Sequence, residues 1–378
     1  MGNPLSNRRE WLVAAVCAGA APPRTVCRRI AFHYEAVFSP SASRWYSRFD
    51  LLVTGAILTK NQSEALRTGT NSLVAYEWSS AFYPNDGSSA DPEWQYLVEQ
   101  HKSDWLLDAS PVGGGAAAPG REAYWYDFGN LEMIRARATH LATRLRAAGY
   151  DGYFFDTLGF SQLPPRLQQA FRTRHPALDY EIAQGAFLKE LRARLGAGKT
   201  IFTNQGYRRP EAYLSDADFD LTESYFTAQA GTSTLFRRWS GGGAPWEAVQ
   251  LPMDKLVVPA GLAHPQVRFV HVNYAAGDTA TTRRAARYSW ACAKMWDHAS
   301  YLIVPGNPSG EEEEAYFIDT GLPNSEINVD PSGLVWRRFE SGVVVLNSAT
   351  KPVEARQLGS AKIPAQDAVW LKNQKING

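Results

Sequence analysis

GYDGYFFDTLGF, residues 149–160, is the stretch that decides how this chain reads. A short apolar and aromatic run leads straight into one acid, Asp156, and a loop begins directly after it. Ionised carboxylates are seldom buried at the end of an apolar strand without a partner or a chemical task. The segment therefore reads as a β-strand that delivers an acid to the edge of a sheet.

The same pattern recurs on either side. IAFHYE (30–35), DLLVTGA (50–56), NSLVAYEW (71–78), TIFTNQG (200–206), DFDLTESYF (218–226), VRFVHVNY (267–274) and SYLIVPG (300–306) join DGYFFDT (151–157) as strand-like runs. Several are apolar at consecutive positions, as expected of parallel strands covered on both faces. Helical segments separate them. LEMIRARATHLATRLRAAG places Leu131, Ile134, Ala138, Leu141 and Leu145 on one stripe and closes on Gly149, a natural C-cap. DYEIAQGAFLKELRARLGAG and TATTRRAARYSWACAKMWDH read in the same way. Strands alternating with helices in this number predict a (β/α)8 barrel. A doubly wound open sheet is the alternative, but no glycine-rich phosphate turn follows the first strand.

Trp78 to Asn130 is expected to be an elaborated loop region, and GGGAAAPG (113–120) a mobile part of it. Beyond Pro305, GEEEEAYF (310–317) reads as a solvated helix start. From residue 333 short strands alternate with turns, and ESG makes a hairpin turn. The expected organisation is an export leader over 1–29, a (β/α)8 catalytic barrel over 30–309 and a small antiparallel β domain over 310–378.

Composition narrows the function. With 39 basic and 38 acidic residues among 378, net charge is +1, and no broad field points to nucleic acid or a membrane surface. The leader SNRREWLVAAVCAGAAPPR has a basic start, an apolar run from Trp11 to Ala21 and then Pro-Pro. That run is too short to span a bilayer, which takes ~20 apolar residues, and suits a signal-peptide core. Arg8-Arg9 ahead of it is like a bacterial twin-arginine signal, so export to the periplasm or beyond is expected. Cys17 falls in the leader, leaving Cys27 and Cys292, which pair only if the fold brings them together; reduced or buried thiols are the expectation.

No His or Cys cluster has metal-ligand spacing, and the lone histidines of RTRHP and WDH read as structural. There is no Walker loop, no G-x-S-x-G elbow and no Lys at the end of a strand-like run. Neither metal nor cofactor is expected. In a barrel, chemistry sits where strands end, and here those ends carry Tyr34 and Glu35, Glu77, Asp156, Asn204, Glu223, and Asn273 with Tyr274. Strand alternation leaves their direction open, because Asp156 shares its parity with Phe154 and Glu223 with Leu221. Two carboxylates without metal, Cys or Lys suit acid/base and nucleophilic work on a glycosidic bond.

GYDGYFFDTLG resembles the Asp-bearing strand of polysaccharide hydrolases related to endo-α-1,4-polygalactosaminidases, and NQG (204–206) and ESYF (223–226) follow in that family's order. The resemblance covers most of residues 30–378, including the β module, and the Asp156 strand is its specific part. It implies Asp156 and Glu223 as catalytic carboxylates, Asp156 the nucleophile and Glu223 the acid/base. It also implies Glu77, Tyr126, Asp127, Asn204 and Tyr225 as subsite residues, to which the strand ends add Tyr34 and Asn273. VAYEWSSAFYPND and the long 78–130 region depart from the family, leaving the sugar open. The expected partner is a polysaccharide or oligosaccharide bound by a monomer. Two other readings stand beside this one: a catalytically silent carbohydrate-binding barrel, and a small-molecule isomerase or lyase barrel. If the leader is an export signal, mass spectrometry of the native protein will find a mature N-terminus after roughly residue 21. An intact N-terminus on cytosolic protein would end that expectation.

Overall fold

The computed structural model describes residues 29–34, 40–67, 72–83, 91–113, 122–242, 251–305, 313–355 and 361–372. The leader with Arg8-Arg9, Cys27, Glu35 and most of the Gly/Ala stretch lie outside the described residues. Eight strands form the central sheet: β1 (Ile30–His33), β2 (Leu51–Thr54), β3 (Ser72–Trp78), β4 (Gly152–Asp156), β5 (Thr200–Asn204), β6 (Phe219–Glu223), β7 (Arg268–Tyr274) and β8 (Ala299–Ile303). They pair in that order and all run parallel. β8 comes back beside β1, where the Tyr301 and Phe32 rings meet at 6.3 Å, so the barrel is nearly closed. This is the predicted (β/α)8 architecture.

Aromatic rings fill the barrel. Phe32, Phe154 and Phe202 interlock edge to face, with centroids 5.9, 5.7 and 5.2 Å apart. The helix Leu131–Ala148 starts where the Asn130 side chain accepts from Met133 N at 3.0 Å and ends at Gly149 with φ 69°. It buries Met133, Ile134, Ala138, Leu141 and Leu145. Leu131 departs from the predicted stripe: it is 61% exposed, because the first helical residue lies ahead of the turn that meets the strands. The Trp78–Asn130 region is elaborated as expected, with a short antiparallel pair joining Ala81–Phe82 to Tyr124–Trp125 and a helix over Pro92–Gln100 between them.

A four-stranded antiparallel sheet follows, ordered Asn328–Val329, Leu334–Phe339, Gly342–Asn347 and Asp367–Lys372. One face carries Val335, Phe339, Val344, Leu346 and Ala368 into the barrel's own hydrophobic core, against the helix Thr279–Met295. The other face packs Leu334, Val343 and Val345 on Ala355 and Ile363 of the hairpin Val353–Ala355/Ala361–Ile363. Polar ties cross the junction: Arg287 grips Asp367 at 3.1 and 3.0 Å, and Arg337 Nη1 donates to Met295 O at 2.6 Å. Of the segment read as a solvated helix start, 310–312 lie outside the described residues, and Glu314–Phe317 form a short 3-10 helix that leaves Glu314 solvated and braces the barrel's foot. Phe317 packs on Phe49 at 5.0 Å and Trp45 at 5.2 Å, while Glu314 pairs with Arg48 at 2.7 Å. Cys292 is a buried free thiol inside the helix Thr279–Met295. Among the described residues, no helix is long and apolar enough to cross a membrane.

A hydrogen-bonded imidazole chain runs from Thr222 on β6 through His271 on β7 to His298, just ahead of β8. The hydroxyl of Thr222 meets His271 Nδ1 at 2.5 Å, and His271 Nε2 meets His298 Nδ1 at 2.9 Å. Burial pushes the pKa of His271 well below the ordinary histidine range, and His298 adds to the shift. His298 is pushed down too, to about 3, by burial and then by Lys294 and Arg337. Neutral imidazoles suit the chain, since one ring nitrogen must donate and the next accept. A group whose folded pKa is depressed favours the fold above its unfolded value, near 6.5. That advantage is lost as pH falls. Fully buried His271 should therefore cost up to about 1.4 kcal/mol of stability per pH unit below ~6.5; His298, partly open, should cost less. Urea unfolding at pH 7 and pH 5 checks this: the His271→Gln/His298→Gln double variant should show a flatter pH dependence than the parent.

Candidate active site

Side-chain direction follows from what each strand packs against. Phe155 points outward onto Phe187 of the helix Tyr180–Leu195 at 5.6 Å, so Phe154 and Asp156 point into the barrel. The parity that left direction open resolves because β4 is apolar on both faces. Asn204 ends β5 and Glu223 ends β6 on the same rim.

Asp156 accepts three hydrogen bonds: Tyr76 OH at 2.5 Å on Oδ2, and Asn204 Nδ2 and Thr157 N, both at 2.7 Å, on Oδ1. Glu223 Oε1 accepts from Tyr274 OH at 3.2 Å. Tyr34, just beyond β1, packs edge-on to Tyr76 at 5.7 Å and keeps 36% of its surface open. Tyr34, Tyr76 and Tyr274 all have phenol pKa values raised well above the ordinary range. Burial is the first cause in each, and both carboxylates contribute to all three. Asp156 and Glu223 both close parallel strands, β4 and β6, which are separated only by β5, so the two acids stand at the same end of the barrel.

The turns after these strands are tightly held. Thr157, Gln205 and Ser224, each immediately after Asp156, Asn204 or Glu223, have φ of 59°, 60° and 52°. Non-glycine residues adopt that left-handed region at a cost and persist there only where neighbours over-determine them. The neighbours are visible. Buried Gln184 donates from Nε2 to Ser79 Oγ and Ser80 Oγ, both at 2.9 Å, and accepts from Gly159 N at 2.9 Å and Tyr213 OH at 2.8 Å. Ser80 Oγ in turn donates to Thr157 O at 2.5 Å. Under the next turn, buried Asp220 accepts from Thr203 Oγ1 at 2.6 Å, Gly206 N at 2.8 Å and Tyr207 N at 2.9 Å. Burial raises its carboxyl to about 7, against the pull of those donors.

Asp156, Glu223, Asn204 and Tyr34 come together. The other candidates do not join them. Glu77 alternates with Tyr76 and faces outward, to Arg137 at 3.2 Å and Arg144 at 3.6 Å. Tyr126 is buried beneath the Arg137 guanidinium at 4.0 Å, its hydroxyl accepting from Trp94 Nε1 at 2.7 Å. Asp127 is locked to Arg174 at 2.7 Å and His175 at 2.8 Å. Asn273 is an inner clamp: Oδ1 accepts from Phe226 N at 2.9 Å and Thr227 N at 3.0 Å, and Nδ2 donates to His271 O at 3.1 Å. Tyr225 is buried against Phe226 and His271. These five hold the scaffold around the rim. Sequence reading missed Tyr76, although it stands two residues before the strand's last and opposite Phe154 in register; inward parity would have found it.

A cavity of about 280 Å³ opens at the barrel's other end, lined by Arg29, Asp50, Lys294, Ser300 and Tyr316 among others. It lies at strand starts, away from the two acids. Among the described residues, no group of three or more His, Cys, Asp or Glu could hold a metal ion.

No protein-family model matches the chain, and no curated protein matches it. Solved structures do. The α-amylase of Geobacillus thermoleovorans, complexed with acarbose, aligns at 8% identity over 91% of this chain and 96% of that one, with a TM-score of 0.50. The glycoside hydrolase domain of PelA from Pseudomonas aeruginosa aligns at 18% identity over 73% of this chain and 94% of that one, TM-score 0.48. Ega3 of Aspergillus fumigatus, in complex with galactosamine, aligns at 10% over 78% and 97%, TM-score 0.46. The amylase likeness supports the (β/α)8 fold. At such identity it speaks to the fold alone.

Gln184 offers a test of how the rim is held. Gln184→Met keeps the volume but strands the Gly159 N–H and the Tyr213 hydroxyl and removes the donor to Ser79 Oγ and Ser80 Oγ, so stability should fall by about 2–4 kcal/mol. Thermal melting measures it; an unchanged melting temperature would show that the turn after Asp156 does not depend on this amide.

Proposed function

We propose that this protein is a glycoside hydrolase acting on a polysaccharide with cationic amino sugars, with Asp156 as nucleophile and Glu223 as general acid/base. The observation that carries the reading is a pair of hydrogen-bonded carboxylates closing two parallel strands at the same end of the barrel, Asp156 on β4 held by Tyr76 and Asn204 and Glu223 on β6 held by Tyr274. An acid pair at one rim is what glycosidic bond cleavage requires. Asp156 is held by three donors, which fixes its oxygens for attack on an anomeric carbon.

Glu223 donates its proton to the glycosidic oxygen as Asp156 attacks, so the C–O bond breaks and a glycosyl ester forms. Glu223, now a carboxylate, takes a proton from water, whose oxygen displaces Asp156 and releases the sugar. The two displacements retain the anomeric configuration.

The substrate class follows from charge. Asp156 and Glu223 both act on Tyr34, Tyr76 and Tyr274, so the rim carries two acids close to three phenols. An ammonium group on the sugar suits such a cleft, and a uronate would be repelled. The resemblance of GYDGYFFDTLG to polygalactosaminidase relatives agrees. Export by the Arg8-Arg9 leader would bring the enzyme to such a polymer.

Hydrolysis of de-N-acetylated amino-sugar polymers, with their N-acetylated forms and a polyuronate as comparisons, tests the proposal. Asp156→Asn and Glu223→Gln should each lower the rate ~10²–10⁴-fold or more while melting stays near that of the parent. Full activity in both variants would sink the assignment, and faster cleavage of the polyuronate would sink the substrate class.

A further inference from the structure

Tyr76 and Tyr274 each hold one of the two acids, and the displacement steps above use neither hydroxyl. We propose that they are separate positioning residues: Tyr76 orients Asp156 for attack, and Tyr274 orients Glu223 for proton transfer. The inference rests on Asp156 and Glu223 being the reacting pair.

Geometry carries it. Oδ1 of Asp156 takes Asn204 and Thr157, and the donor to Oδ2 is Tyr76 OH at 2.5 Å. The Tyr76 ring cannot swing away. It is wedged between Tyr34 at 5.7 Å, Trp78 at 5.1 Å and Phe154 at 5.6 Å. One lone pair of Oδ2 is thus engaged while the other stays available for attack. Tyr274 meets Glu223 from the neighbouring strand β7. Asp156 is touched by Tyr76 on β3, Asn204 on β5 and its own neighbour Thr157, its charge reaches Tyr34 and Tyr274, and Glu223 is the second acid whose charge reaches the same phenols. Both phenols stay protonated wherever the acids ionise, because burial and the carboxylates push them up. They remain donors across the working range.

The sign follows. A donor to a carboxylate favours its charged form, so removing that donor raises the acid's pKa. In the bell-shaped profile of kcat/KM, the acid limb reports the group that must be ionised, and the basic limb the group that must be protonated. Tyr76→Phe keeps every ring contact and should raise the acid limb by about one pH unit, with a plateau loss of about tenfold. Tyr274→Phe should instead raise the basic limb. Thermal melting of both should stay near the parent's, since only an oxygen is lost.

A second readout does not depend on turnover: the ¹³C-carboxyl titration of Asp156, its signal assigned by loss in Asp156→Asn. Its midpoint should rise in Tyr76→Phe and stay put in Tyr274→Phe. An unmoved midpoint, or a Tyr76→Phe profile shifted only in the basic limb, would overturn the proposal. A moved midpoint in a protein whose Asp156→Asn variant still hydrolyses substrate at the parent rate would support the pairing and discard Asp156 as the nucleophile.

Discussion

The rim depends on strand register. In the parallel ladders, Trp78 lies opposite Asp156, Asn204 opposite Leu221, and Glu223 opposite Val272. Side chains alternate strictly along each strand, so a slip of one position would exchange everything at the rim. Phe155 would replace Asp156, Thr203 would replace Asn204, and Thr222 would replace Glu223. The interlocked rings of Phe32, Phe154 and Phe202 in the layer below oppose such a slip, because each occupies a volume the others define. The left-handed turns after the strands oppose it from above, being held by Gln184 and Asp220 on the outer side. A polar site that must stay partly open is thus clamped between an aromatic layer and a set of buried hydrogen bonds.

The outer face of β3 shows a different use of charge. Buried Arg137 donates to the carbonyls of Trp78 and Ser79, pairs with Glu77 and lies between the rings of Tyr126 and Phe187. Several acceptors and two π faces compensate a guanidinium that would otherwise be costly to bury. Its acceptors are backbone atoms at the end of β3, where the chain leaves for the elaborated 78–130 region, so it fixes how that region departs from the barrel.

These contrasts explain what could be read from the sequence. The eight strands follow from local apolar runs, the C-terminal β sheet from alternation and turns, and the place of Asp156, Asn204 and Glu223 at strand ends from the polar residue that closes each run. The choice of Asp156 and Glu223 as a pair comes from the family resemblance. Glu77, Asp127 and Asn273 look equivalent in sequence, since each is also polar and lies near a strand end or turn. What separates them is the partner, and Arg137, Arg174 and the Phe226 amide are distant in sequence from the groups they hold. Tyr76 was hidden for the opposite reason: an aromatic inside an apolar run looks like core. Its hydroxyl matters only because the neighbouring strand ends in Asp156.

The helix Thr279–Met295 serves two layers. Its inner side closes the barrel between β7 and β8, and its outer side receives the small sheet through Val344, Leu346 and Ala368. A wall shared in this way joins the two units into one cooperative transition, because neither can melt without uncovering the other's apolar surface. Cleavage in the connection would leave the halves associated, as in a nicked protein that still migrates whole until denatured. A barrel expressed without the sheet would carry a sticky flank in place of a finished exterior.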